Sequence, residues 1–110
     1  MPEAVILYTT WPDPETAEAA ARAAVEAGLC ACVNIGRPGV SIYRWEGEMQ
    51  RDLEAPVLFK TTAARVEALK ALILDRHPYE LPCVLALPVD GPGSHAAYLA
   101  WIGQETGIKG

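Results

Sequence analysis

Apolar and polar positions change period several times along the chain, and each change marks an element. Ala4 to Tyr8 is a short apolar run that predicts a buried strand. It gives way to Thr9-Thr10-Trp11-Pro12-Asp13-Pro14, where Asp13 can cap a helix and Pro14 fits its first position. Glu15 and Glu18 favour the positive end of that helix, which is expected to run to Ala27 and stop at Gly28. Ala17, Ala20, Ala21 and Ala24 form one small-residue face suited to close packing on a sheet.

From Leu29 to Ile35 the period becomes two, placing Leu29, Ala31, Val33 and Ile35 together. Gly36-Arg37-Pro38-Gly39 bends or breaks this strand, and alternation resumes over Val40–Trp45. Glu46-Gly47-Glu48 reads as a hairpin turn with positive φ at Gly47. The return strand passes through Leu53 and Val57-Leu58-Phe59 to Lys60, and Pro56 predicts an edge segment or bulge within it.

Thr61 or Thr62 is expected to cap a second helix whose buried stripe is Val66, Leu69, Leu72 and Ile73. His77 precedes a proline and should end that helix. Cys83 to Val89 is a nearly unbroken apolar strand, and Asp90-Gly91-Pro92-Gly93 turns the chain. A last helix is expected to begin at Ser94 or His95 and to carry Tyr98 and Trp101, with a frayed tail from Gly107.

The order is β-α-β-β-α-β plus a terminal helix, an α+β ferredoxin-like sandwich formed by residues 1–110 as one domain. Right-handed crossovers put both main helices on one sheet face and leave the other bare. The strand at Val84-Leu85-Ala86-Leu87 is apolar on both sides, and 51% of the 110 residues are hydrophobic, more than so small a chain hides alone. Self-association follows from this; the number of subunits does not.

Charge and cysteines narrow the setting. A net charge of -5 with scattered basic residues argues against a nucleic-acid partner. No apolar run approaches a membrane span, and Met1-Pro2-Glu3 has no basic signal-peptide start. Three cysteines without a secretion signal predict reduced thiols in the cytoplasm.

Several segments resemble the CutA divalent-cation tolerance family. They are YRWEGE at Tyr43–Glu48, KTT at Lys60–Thr62, HPYELP at His77–Pro82, CACVNI at Cys30–Ile35, ALPV at Ala86–Val89 and YLAW at Tyr98–Trp101, with the Pro12-Asp13 turn. The resemblance implies a ferredoxin-like homotrimer associated with copper and other divalent ions. It also implies similarity to the PII proteins, which bind small effectors between subunits. In the bacterial member of the family where copper ligands are proposed, they are a cysteine ending the first strand and two adjacent histidines before Pro-Tyr. Thr9, Arg76 and His77 stand at those positions here, which leaves His77 as the one side chain of ligand type.

Each candidate has a structural reading beside the chemical one. His77 could hold Cu(II) or Zn(II), or could close its helix end. Cys30 and Cys32, two apart and so expected on one strand face, could offer thiolates to a soft metal, joined by Cys83 if its strand lay nearby. The structural reading, which the lack of a four-ligand set favours, is that they are small buried hydrophobes. Tyr43, Trp45, Glu54, Lys60, Tyr79 and Trp101 could line an inter-subunit cleft for a small ligand, or could pack an interface, with Glu54 and Lys60 as an ordinary ion pair. No thiol can be placed beside His77 or His95, and no phosphate-binding glycine loop follows a strand, so catalysis is not expected. The expected function is metal tolerance by non-enzymatic binding or sensing as a homotrimer, with a PII-like effector or interaction module as the alternative.

Overall fold

A computed structural model describes residues 3–107. The strands are β1 (Ala4–Trp11), β2 (Cys32–Ile35), β3 (Gly39–Trp45), β4 (Glu48–Thr62) and β5 (Val84–Pro88), and the helices are α1 (Pro14–Glu26), α2 (Val66–Arg76) and α3 (Ala96–Glu105). All pairings are antiparallel, in the order β2-β4-β1-β5, with β3 pairing only with β4. This is the ferredoxin-like arrangement plus α3. The expected tail beyond Gly107 and the start at Met1-Pro2 lie outside the described residues.

Helix α1 begins as its sequence dictates. The Asp13 carboxylate accepts the Thr16 N–H at 2.7 Å, which lowers the Asp13 pKa, and Pro14 opens the first turn. Ala17, Ala20, Ala21 and Ala24 are buried against the sheet. From α2, Leu69 and Ile73 complete this layer over Leu7, Trp11, Val57 and Phe59, with Val66 and Leu72 at its edge.

The odd positions of β1 and β4 point into that core, so the even positions face the opposite side. This second face is not wholly bare. Helix α3 covers one corner of it, where Leu99 and Ile102 pack on Ala4, Ala31 and Val89. The remainder stays open, and Leu85 and Leu87 of β5 are 56% and 45% exposed there.

Several features differ from the sequence expectations, each for a visible reason. Strand β1 continues past Tyr8 to Trp11 because Thr9 and Trp11 have buried partners in the core. The regular pairing of β2 starts only at Cys32. The Ala31 N–H bonds to the carbonyl of Lys60, the residue already opposite Cys32, and two residues facing one make a bulge. Pro56 sits inside β4, paired with Thr10 on one side. On its other side β3 pairing ends at Glu54 and β2 pairing at Val57, so the missing N–H falls in a gap in the ladder. Gly36 donates to the Pro56 carbonyl there at 2.8 Å, and a Cβ at Gly36 would lie 2.9 Å from the proline ring.

Neither Thr61 nor Thr62 caps α2 by its side chain. Both are buried at the end of β4, where Thr61 donates to the Leu29 carbonyl and Thr62 bonds to Thr106. A 3-10 turn over Ala63–Arg65 leads into α2 instead.

The β3–β4 hairpin is closed by two residues, Glu46 and Gly47, both with positive φ, while Glu48 already pairs with Trp45. Its paired residues form a two-stranded ribbon beyond the four-stranded part of the sheet. Fifteen extended residues of β4 span about 50 Å, and the longest dimension of the molecule is 48 Å. One ribbon face carries Val40, Ile42, Met49 and Leu53 in the open, while the other carries Tyr43, Trp45, Asp52 and Glu54.

Candidate functional site

The inner ribbon face, the end of β1 and the loop after α2 enclose a cavity of 780 Å³. Tyr43, Trp45, Glu54 and Tyr79, all expected in an inter-subunit cleft, line this cavity within one chain together with Thr10, Asp52 and Cys83. Alternation along β4 puts Asp52 on the same face as Glu54, so this second carboxylate was findable from the sequence. Thr10 and Cys83 were not, because only the β1–β5 pairing brings them together.

Lys60 and Trp101 do not line this cleft within one chain. Lys60 lies six positions beyond Glu54 along β4, about 20 Å, so these two form no ion pair within one chain. Lys60 instead reaches Tyr98 of α3, with Nζ 3.3 Å from the hydroxyl and 5.3 Å from the ring centroid. Trp101 stacks beside Tyr98 at 5.4 Å, on the α3 side of the molecule.

Hydroxyl and carboxylate groups of the cleft lining are matched to one another. The Tyr43 hydroxyl donates to Asp52, and this bond raises the Tyr43 pKa. Burial and then the neighbouring Glu54 carboxylate push Tyr79 up to about 12. Burial likewise raises the Cys83 thiol, opposed by a bond with Thr10 and reinforced by Glu54.

His77 stands behind this wall. It is 7% exposed, its Nε2 lies 2.7 Å from the Thr10 carbonyl, and its Nδ1 accepts the Tyr79 N–H at 3.2 Å. Accepting at Nδ1 places the proton on Nε2, which donates to Thr10. Trp11 and Tyr79 pack on the ring at 4.2 and 4.7 Å. Both nitrogens are therefore occupied, and a metal could use Nδ1 only after displacing a backbone amide. Thr9, expected to align with the cysteine of the bacterial member's proposed copper site, is fully buried between Trp11 and Val57.

The cysteines do not converge as expected. The bulge at Ala31 turns Cys30 into the helix-side core, while Cys32 looks out from the opposite sheet face beside Asn34. Cys83 precedes β5, at the far edge of the sheet from β2, and cannot join them. Among the described residues no three His, Cys, Asp or Glu side chains gather as a metal cage. Burial, with a smaller contribution from Cys32, pushes the Cys30 thiol up to about 12. Its folded value lies above its ordinary 9.0, so its contribution to stability is complete below pH 9.0 and is lost as pH rises toward 12. Iodoacetamide at pH 8 should leave Cys30 unmodified in the folded protein and alkylate it after unfolding in guanidinium, as read by peptide mass spectrometry. Rapid labelling of the folded protein would contradict the burial.

The family model described as CutA1 divalent ion tolerance protein matches residues 5–105. This chain belongs to that family. It is 42% identical over 105 residues to the divalent-cation tolerance protein CutA of Thermus thermophilus, covering 96% of this chain and 99% of the relative. It is 39% identical over 99 residues to the mouse Protein CutA, covering 90% of this chain but only 55% of that longer protein. Among solved structures, CutA1 from Shewanella sp. SIB1 superposes with a TM-score of 0.89 at 38% identity, covering 94% of this chain and 95% of the other. The CutA of Archaeoglobus fulgidus, described as a periplasmic divalent cation tolerance protein, gives 0.88 at 30% identity, covering 94% and 98%. The α+β architecture expected from the sequence is thus that of the CutA1 structures.

Proposed function

We propose that this protein serves divalent-cation tolerance, copper in particular, as a non-enzymatic cytoplasmic homotrimer that binds the ion with donors from more than one subunit. The observation that carries this reading is where Cys32 stands. It faces the open, apolar side of the sheet, the surface that self-association would cover. A thiolate there can act with donors of a second copy, and soft ligands favour Cu(I). One chain alone gathers too few donors among its described residues for a closed site.

The non-enzymatic part is supported by the state of the reactive groups. His77 has no free nitrogen to act as a base, and the Cys30 thiol, pushed up to about 12, is a poor nucleophile. Three free thiols suit a reducing compartment, although the Archaeoglobus relative is described as periplasmic.

Light scattering should give three times the 11.8 kDa protomer mass at micromolar concentration. Anaerobic Cu(I) and aerobic Cu(II) calorimetry should show saturable binding that Cys32→Ser weakens about tenfold or more, a loss of at least 1.4 kcal/mol. His77→Gln should leave the isotherm in place. A monomer, or copper uptake no tighter than that of an unrelated acidic protein, would overturn the reading.

A further inference from the structure

The cleft beside the ribbon differs in chemistry from any metal cage. At 780 Å³ it is far larger than an ion and falls within the range of small-molecule sites. Three aromatic rings line it: Tyr43 and Trp45 from one face of β3, and Tyr79 from the loop opposite. Two carboxylates, Asp52 and Glu54, share that ribbon face.

Among the described residues of one chain, no cation pairs with those carboxylates. The ion pairs among the described residues are Arg22 with Glu18 and Lys70 with Glu67, both elsewhere. Arg44 borders the cleft, but alternation turns its side chain to the outer ribbon face, and its guanidinium donates to the Gly47 carbonyl. The Tyr43 hydroxyl satisfies one acceptor position of Asp52 and neutralises nothing, because a carboxylate has about four lone-pair sites. The upward shifts of Tyr43, Tyr79 and Cys83 all include a contribution from a cleft carboxylate, as expected of a negative local potential.

Ring faces attract cations, and more strongly in a partly desolvated recess than in open water. An anion would face the carboxylates of Asp52, Glu54 and Glu80 here. A bare metal ion would find Asp52 and Glu54 on the ribbon and Glu80 on the loop, which do not gather as a set of three ligands, and would leave the aromatic walls unused. We infer that the cleft binds a small organic cation, an ammonium or guanidinium group on an apolar body, with the charge between Asp52 and Glu54 and the body against Tyr43, Trp45 and Tyr79. This site is separate from Cys32, so its existence does not depend on the metal reading.

The test uses the intact assembled protein at low ionic strength, with benzylammonium and the uncharged, similarly sized benzyl alcohol as probes. Calorimetry and quenching of tryptophan fluorescence report binding. Benzylammonium should bind saturably and about tenfold or more tightly than the alcohol. Asp52→Asn/Glu54→Gln should abolish that preference while assembly mass and circular dichroism stay unchanged, and Trp45→Ala should weaken the amine in its own right. Cys32→Ser should have no effect on it. Equal affinities for amine and alcohol, an unchanged preference in the double variant, or no binding of the amine up to about 10 mM, a free energy weaker than roughly 3 kcal/mol, would each overturn the inference.

Discussion

Replacing His77 by alanine should destabilise the protein by about 2–4 kcal/mol without disturbing copper binding by its well-folded conservative counterpart, His77→Gln. The ring bridges three elements: the end of α2, the Thr10 carbonyl of β1 and the Tyr79 amide of the following loop. Alanine removes both hydrogen bonds, leaves a buried carbonyl and an amide to find new partners, and opens a void against Trp11 and Tyr79. Glutamine carries an N–H and a carbonyl oxygen and can restore part of both bonds. Urea unfolding at one fixed protomer concentration measures the loss, because assembly would otherwise shift the midpoint. A ligand role predicts the opposite pattern: copper affinity falls in both variants, whatever the recovery of stability in glutamine. His77 as a bridge rather than a ligand also explains how the loop that forms one wall of the cleft is held to β1.

Local signals in the sequence were enough for much of this fold. Asp13-Pro14 marks the start of α1, Glu46-Gly47 the hairpin, and His77-Pro78 the end of α2, because in each case the chemistry acts within a few residues. What was not legible depends on a partner strand. Leu29, Ala31, Val33 and Ile35 alternate without a break, yet the bulge opposite Lys60 sends Ala31 to the α3 side and Cys30 to the core. Nothing in the local pattern betrays an extra residue, so the two cysteines were expected on one face. Pro56 is similar. Its place inside β4 is understandable only once β3 and β2 are seen to pair along one edge of that strand and to leave a gap between them.

The cleft shows the same division. Four of its aromatic and acidic side chains were identifiable from the sequence, since Tyr43 and Trp45 alternate on one strand and the hairpin sets them opposite β4. Lys60 and Trp101 were grouped with them on residue type alone. The rise along a strand separates Lys60 from Glu54 by about 20 Å, and the crossing of α3 over the sheet decides where Trp101 goes. Burial was the other quantity the sequence withheld. It separates His77 and Cys30, whose polar atoms are occupied or desolvated, from Cys32, which looks onto an open face.

Thr9→Val should cost about 2–4 kcal/mol, although the two side chains are nearly the same size. Thr9 is fully buried, and its hydroxyl works in both directions, donating to the Val57 carbonyl at 2.9 Å and accepting the Trp11 indole N–H at 2.8 Å. Valine fills the space and keeps the backbone bond of the Thr9–Val57 pair at that carbonyl. It removes the carbonyl's second bond and leaves the indole N–H buried without its acceptor, a desolvation penalty of about 1–3 kcal/mol. Thr9→Ser keeps the hydroxyl, loses one methyl group and should cost about 1 kcal/mol. The ordering is the diagnostic: if packing governed this position, valine would be the milder change and serine the worse one. Chemical unfolding of both variants decides between these orders. The expected order also accounts for how this chain tolerates a threonine where the bacterial member's proposed copper site has a cysteine. The position here belongs to the core, where a two-way hydrogen bond ties β1 to β4 and fixes the indole beneath His77. Cysteine is a weak donor and a weak acceptor, so Thr9→Cys should fall between serine and valine in stability and should not by itself create a copper site, since His77 keeps both nitrogens engaged.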